Sequence, residues 1–166
     1  MEHLFLTGSD AAALAQQLLH ALNVPFSGYC LKPFSIAGQV RGEALHFLLS
    51  CAPPRLNDVP CRIRMTQEQW LLLPQVMEEI AAPGLCSALS MPTPMLVSSI
   101  HADMLRCAAF CDALMQVQAR EHLAIFVVEE DAVEAMQQLL PPKRQRWFDL
   151  RDTTLDTLVE AATLRL

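Results

Sequence analysis

Short apolar runs alternate with stretches of helical periodicity along the chain, and this alternation limits the available folds more than any other feature. Leu123 to Val128 is the clearest strand, with no polar residue in it. Met95, Leu96 and Val97, between Pro94 and Ile100, make a mostly apolar run of the kind that forms a buried central strand. Leu4 to Thr7 is the first strand. Strands separated by helices pack as a mainly parallel sheet, wound with right-handed crossovers and covered on both faces. The expected class is therefore α/β. No internal repeat, low-complexity segment or linker interrupts the pattern, so residues 1–166 read as a single domain.

The remaining elements follow from periodicity and from breaker residues. A helix is expected from about Ala11 to Leu22, where Leu14, Leu18 and Leu22 recur at helical spacing. Phe26 to Lys32 and Gln39 to Leu49, separated by Pro33, Ser35 and Gly38, read as an antiparallel hairpin at the sheet edge. Pro53, Pro54, Asn57, Asp58 and Pro60 make a loop, and Cys61 to Met65 a short strand. Thr66 suits the N-cap of a helix running to about Ala82, kinked or broken at Pro74. Further helices are expected over Met104 to Ala119, with Met104, Ala108, Cys111 and Met115 on one face, and over Asp131 to Leu140. A strand near Trp147 to Leu150 and a helix with the stripe Leu155, Leu158, Val159 and Ala162 complete the chain.

Composition removes several classes of function. A net charge of −6 with only two lysines, Lys32 and Lys143, argues against a nucleic-acid binder, whose affinity needs clustered cations. The one basic cluster, Lys143, Arg144 and Arg146, suits a solvated loop. No apolar run approaches the roughly 20 residues of a membrane span, and Met1, Glu2 and His3 lead into a strand rather than a signal peptide. The six cysteines are scattered and read as reduced thiols, so the expected location is the cytoplasm.

The first strand runs into Thr7, Gly8, Ser9, Asp10, Ala11, Ala12, Ala13, Leu14 and Ala15. A phosphate-binding loop at this place reads GxxxxGK[ST], with backbone N–H groups around phosphate, Lys on the β and γ phosphates and a hydroxyl on Mg²⁺. Here only the first Gly is kept; Ala13, Leu14 and Ala15 stand for the second Gly, the Lys and the hydroxyl residue. With Leu4 to Gly8, Gly28 and Tyr29, Gly38 to Gly42, Glu78 to Leu89, and Arg151 and Asp152, the chain resembles the small P-loop nucleoside triphosphatases that include cancer-related nucleoside-triphosphatase. The resemblance implies a P-loop NTPase-like sheet carrying an antiparallel hairpin insertion. It also implies a second catalytic strand ending in Asp-Glu-Ile-Gly, where this chain has Ser98, Ser99, Ile100 and His101, followed at the same spacing by Phe110. Both family carboxylates are serine here.

Phosphoryl transfer depends on positioned positive charge and metal, and losing one preorganised donor typically costs about a hundredfold to a thousandfold. Leu14 supplies no charge. Asp10 is expected to work against an anion as well, by capping the following helix with its own carboxylate on the N–H groups that a phosphate would use.

Other chemistry is thinner. Cys107 and Cys111, one helical turn apart, could bind metal with His101 or His122, or be two buried thiols; zinc-type CxxC spacing is absent. Ser98 or Ser99 with His101 lacks the GxSxG elbow of a nucleophile. Glu129, Glu130 and Asp131 follow the strand at Val128, where ligands of open α/β sheets bind; they form either an acidic site or a helix start with Asp131 as N-cap. His3, His20 and His46 have no partner that spacing identifies. Arg151 could meet a ligand, or pair with Asp152 or Asp156.

The expectation is a non-catalytic relative of nucleoside triphosphatases that acts through a protein partner or homo-oligomer, with no catalytic residue, metal or cofactor. The alternative is residual nucleotide or other small-ligand binding, without strong Mg²⁺ requirement, or hydrolysis, in the old cleft through Gly8, Ser9 and Arg151.

Overall fold

In the computed structural model, which describes residues 1–49 and 58–166, the chain folds around an eight-stranded sheet in the order β5-β4-β3-β2-β6-β7-β1-β8. The strands are β1 (His3–Thr7), β2 (Ser27–Ile36), β3 (Gln39–Phe47), β4 (Val59–Arg64), β5 (Trp70–Leu72), β6 (Met95–Ile100), β7 (Ala124–Val128) and β8 (Gln145–Asp149). The helices are α1 (Ala11–Leu22), α2 (Pro74–Val76), α3 (Ala82–Ala88), α4 (Ala108–Ala119), α5 (Val133–Leu139) and α6 (Leu155–Thr163). Strands β2, β6, β7, β1 and β8 pair in parallel, whereas β2 to β5 pair antiparallel. Among the described residues no helix is long and apolar enough to cross a membrane.

Strand periodicity divides the core in two. Phe5, Val97 and Phe126 point to one face, where they pack with Leu85 of α3 and Phe110, Leu114 and Val117 of α4. Leu4, Leu6, Leu96, Ile125 and Val127 point to the other, against Ala15 and Leu18 of α1 and Leu158 and Ala162 of α6. Both faces of β6 and β7 are thus covered, as the apolar runs Met95 to Val97 and Ala124 to Val128 require. Gly28 marks the tightest approach: a Cβ built there would lie 2.0 Å from the Leu96 carbonyl oxygen.

The hairpin is antiparallel as expected but is not at the edge, because β4 and β5 extend the sheet beyond it. Pro33 and Ser35 lie inside β2 rather than between two strands. Gly28 accepts from the Leu48 N–H and Ser27 donates to Pro94, so even-numbered residues of β2 face β3 and odd ones the other edge. Pro33 therefore turns its missing N–H to an edge that has no partner past the end of β6.

Residues 66–73 form no helix. Thr66 Oγ1 accepts from the N–H groups of Glu68 and Gln69 in the turn between β4 and β5, and the helix begins at Pro74, whose fixed φ and absent N–H suit the first helical position. A π-helical turn (Met77–Ala81) joins α2 to α3 just before Pro83, which lacks the N–H that Glu79 would use. A 3₁₀ turn (Met104–Arg106) and the extended Cys107 precede α4, and this shifts the helical phase. The buried face of α4 is consequently Phe110, Ala113, Leu114 and Val117, while Ala108 and Met115 are exposed. Of the expected loop, Pro53, Pro54 and Asn57 lie outside the described residues.

Candidate functional site

The parallel strands end in a common cleft. Gly8 follows β1 with φ +112°, a conformation that favours glycine, and Ser9 and Asp10 complete the turn into α1. His101 follows β6 and Glu129 follows β7, whose exit is tied to β6 by the Glu129 N–H donating to Ile100 O at 2.9 Å. Gly8, Ser9, His101, Glu129, Glu130 and Asp131 line a cleft of about 360 Å³. Two expectations from separate parts of the sequence thus meet in one place: the turn after the first strand and the acidic run after Val128.

Asp10 does not cap α1. Its φ is +67°, in the left-handed region, and its side chain makes no capping hydrogen bond. An N-cap carboxylate reaches the first-turn N–H groups from extended backbone, so this conformation turns it away. The loop is held by backbone instead, with Ala11 N–H donating to Gly8 O at 3.2 Å and Leu14 N–H to Asp10 O at 2.9 Å. Leu14 packs against the α1/α6 core. Asp131 is not a helix cap either; it sits inside a 3₁₀ turn (Glu130–Ala132) ahead of α5. Ser98 and Ser99 are buried within β6, joined by a cis peptide bond, and do not line the cleft.

Arg151 lies outside the cleft lining and meets neither Asp152 nor Asp156. It grips Asp149 with Nη2 to Oδ2 at 2.5 Å and Nε to Oδ1 at 3.0 Å, and its backbone N–H donates to the same Oδ1. These hydrogen bonds hold the Asp149 carboxyl down at about 2. The pair is solvent-facing and links residues two apart, so it is a local contact at the β8 exit.

A charged network that no spacing in the sequence indicates lies behind His101. Arg62 on β4, almost wholly buried, donates through Nη1 to Glu43 Oε2 at 2.9 Å and to His101 Nε2 at 3.0 Å. Its Nε lies 3.4 Å from Asp103 Oδ2 without hydrogen-bond alignment, and its guanidinium covers Trp70 at 4.9 Å. Because Arg62 only donates, His101 Nε2 must accept, so the imidazole is neutral with its proton on Nδ1. Burial first and the Arg62 charge second lower the His101 pKa, outweighing Glu43, Glu129 and Asp103. The 3.6 Å approach of His101 Nε2 to Glu43 is therefore not an ion pair.

The remaining candidates have local structural roles. Arg144 Nη1 donates to Ala119 O at 2.8 Å at the end of α4, and Arg146 lies over Phe148 at 5.2 Å, so the basic cluster is not a convergent anion site. Cys111 Sγ donates to Leu105 O at 3.2 Å; among the described residues no three His, Cys, Asp or Glu side chains gather as metal ligands. His46 meets Asp58 at 2.8 Å. His3 is buried, donating from Nε2 to Gln118 O and accepting at Nδ1 from Ala124 N–H, which bridges β1 to α4 and β7.

No protein-family model matches the sequence, and no curated protein does. Solved structures match the fold. A crystal structure of THEP1 from the hyperthermophile Aquifex aeolicus aligns with a TM-score of 0.69 at 14% identity, over 98% of this chain and 99% of that one. The solution structure of a human cancer-related nucleoside triphosphatase aligns with a TM-score of 0.69 at 16% identity, over 99% of this chain and 96% of the other. The fold is thus that of a P-loop NTPase-like α/β protein, extended by an antiparallel wing.

Proposed function

We propose that this chain is a non-catalytic relative of the nucleoside triphosphatases that works by binding protein, including copies of itself. The observation that carries the reading is the charge of the cleft: Glu129, Glu130 and Asp131 line it, and among the described residues no Lys or Arg does. A triphosphate brought there would meet carboxylates of its own sign. Arg62 and Arg151, which could have offset them, are engaged by Glu43 and Asp149. Leu14, in the position of the phosphate-binding lysine, is half-buried against the core and offers no charge. Among the described residues the phosphates of a nucleotide would therefore meet no free cation in the cleft, and no hydrolytic step is assigned. We further propose that the protein needs no cofactor, is cytoplasmic, and engages neither nucleic acid nor membrane.

Thermal melts with and without Mg²⁺-nucleotides test the reading. A ligand present at about 100 times its Kd stabilises a protein by about 2.7 kcal/mol, a readily measured rise in Tm. The expected result is no rise with any common nucleoside triphosphate at millimolar concentration. A rise that disappears in Gly8→Glu would restore nucleotide binding in the cleft.

A further inference from the structure

The distal half of the β2–β3 hairpin is an arm that projects past the end of β6, beside the cleft, with β4 and the β4–β5 turn along its other side. Strand β2 runs parallel to β6 with Tyr29 opposite Val97, so Lys32 is about level with Ile100, where β6 ends. Ile36 lies four residues further on, and at about 3.3 Å per residue the tip projects roughly 13 Å beyond the strand ends that form the cleft. The tip is slim: Ala37 and Gly38, both at positive φ, turn the chain in two residues.

Arm and cleft differ in chemistry. Ile36 and Val40 on the arm are 61% and 43% exposed, and Met65 and Leu71, on and beside the neighbouring turn, 62% and 49%. Residues 32–41 and 64–69 carry Lys32, Arg41 and Arg64 against one carboxylate, Glu68, in a chain whose net charge is −6. Arg41 and Arg64 donate to the neutral oxygens of Gln39, Thr66 and Gln67. Among the described residues neither these three cations nor Glu129, Glu130 and Asp131 form an ion pair. An apolar, cationic arm therefore stands one strand away from β6, at the rim of an anionic cleft.

We propose that the arm's partner is the cleft of a second copy of this chain. Arm and cleft lie side by side at the same end of the sheet, so a two-fold axis between facing molecules can lay each arm over the other's cleft. Such an interface is self-complementary and closes at two copies, whereas a head-to-tail contact would propagate. Each exchange sets Arg41, near the tip, against Glu130 and Asp131, with Lys32 at the base of the arm adding to the same positive field, buries Ile36, and doubles the contact that one arm could make alone. The proposal rests on the self-association branch of the function proposed above.

Sedimentation of the full chain under reducing conditions tests it. The wild type is expected to dimerise, with an affinity at least about tenfold weaker at roughly 500 mM than at roughly 50 mM NaCl, since exposed charge pairs are screened. Lys32→Glu with Arg41→Glu gives an acidic arm, and Glu130→Lys with Asp131→Lys a basic cleft rim; all four positions are exposed, so both variants should fold. Each variant alone is expected to be monomeric. Mixed together they are expected to form a heterodimer, because both arm-to-cleft contacts then join opposite charges. A monomeric wild type, a dimer that survives in either variant, or a mixture that stays monomeric would overturn the proposal. Phosphate release measured on the same wild-type sample separates the two readings: a monomer without turnover removes only the dimer, whereas turnover removes the non-catalytic reading beneath it.

Discussion

Arg62 Nη1 donates to His101 Nε2 at 3.0 Å, which fixes the imidazole at the cleft wall as the neutral form bearing its proton on Nδ1. The contact joins the antiparallel wing to the end of a central parallel strand, and its two partners are 39 residues apart. An arginine held by Glu43 on one side and Asp103 on the other is thereby kept behind the cleft wall.

Removing that arginine should act in two ways. Arg62→Met leaves Glu43 and Asp103 without their shared cation; because both carboxylates keep contact with water, the cost should be about 1 to 3 kcal/mol, below that of breaking a fully buried pair. The same change removes a donor and a positive charge from His101, so its pKa should rise. An NMR titration of the histidine ring checks this. The wild-type ring should titrate below the ordinary 6.5 and the variant ring above the wild type; an unchanged pKa would remove Arg62 from the account of His101.

His3 should give the fold an acid-sensitive step. Burial lowers its pKa from 6.5 to about 4, so between those values the unfolded chain binds a proton that the folded chain refuses. Stability from this group is fully present above 6.5 and is lost as the pH falls through 6.5 toward 4, by on the order of 3 kcal/mol. In His3→Leu this part of the pH slope should vanish. That variant should also lose about 1 to 3 kcal/mol at neutral pH, because the Ala124 N–H and Gln118 carbonyl are left unpaired. Urea unfolding of both proteins across this pH range measures each effect, and parallel slopes would exclude His3 as their source.

Asp10 should behave as a strained turn residue. With φ at +67° and no capping bond, Asp10→Gly relieves a left-handed penalty of about 1 kcal/mol and should raise Tm. Sulfate should stabilise wild type and variant equally, since the carboxylate does not occupy the first-turn N–H groups. A lower Tm in the glycine variant would return Asp10 to a capping role.

Much of the sheet was legible in the sequence because Leu4 to Leu6 of β1, Met95 to Val97 of β6 and all of β7 are apolar runs buried on both faces, and such runs have few alternatives. Thr66 misled because a hydroxyl accepting from N–H groups two and three residues on is common to helix caps and to turns, and the three residues of β5 are too few to show a period. The stripe through Met104, Ala108, Cys111 and Met115 failed at Cys107, whose extended backbone resets the helical phase. In the cleft, Gly8, Ser9 and the acidic run were visible because strand ends are where open sheets place ligands. The network of Glu43, Arg62, His101 and Asp103 was not, because it depends on the register of β3 with β4 and on the reach of β4 toward β6, which no local spacing encodes.

Steady-state phosphate release tests the central claim most directly, with several nucleoside triphosphates at millimolar concentration, Mg²⁺ present, and a protein-free control. With carboxylates lining the cleft and an uncharged Leu14 half-buried against the core, the account predicts release indistinguishable from the control for every nucleotide. Turnover near 1 s⁻¹, on the order of an ordinary enzyme, that is abolished in Gly8→Glu would contradict it.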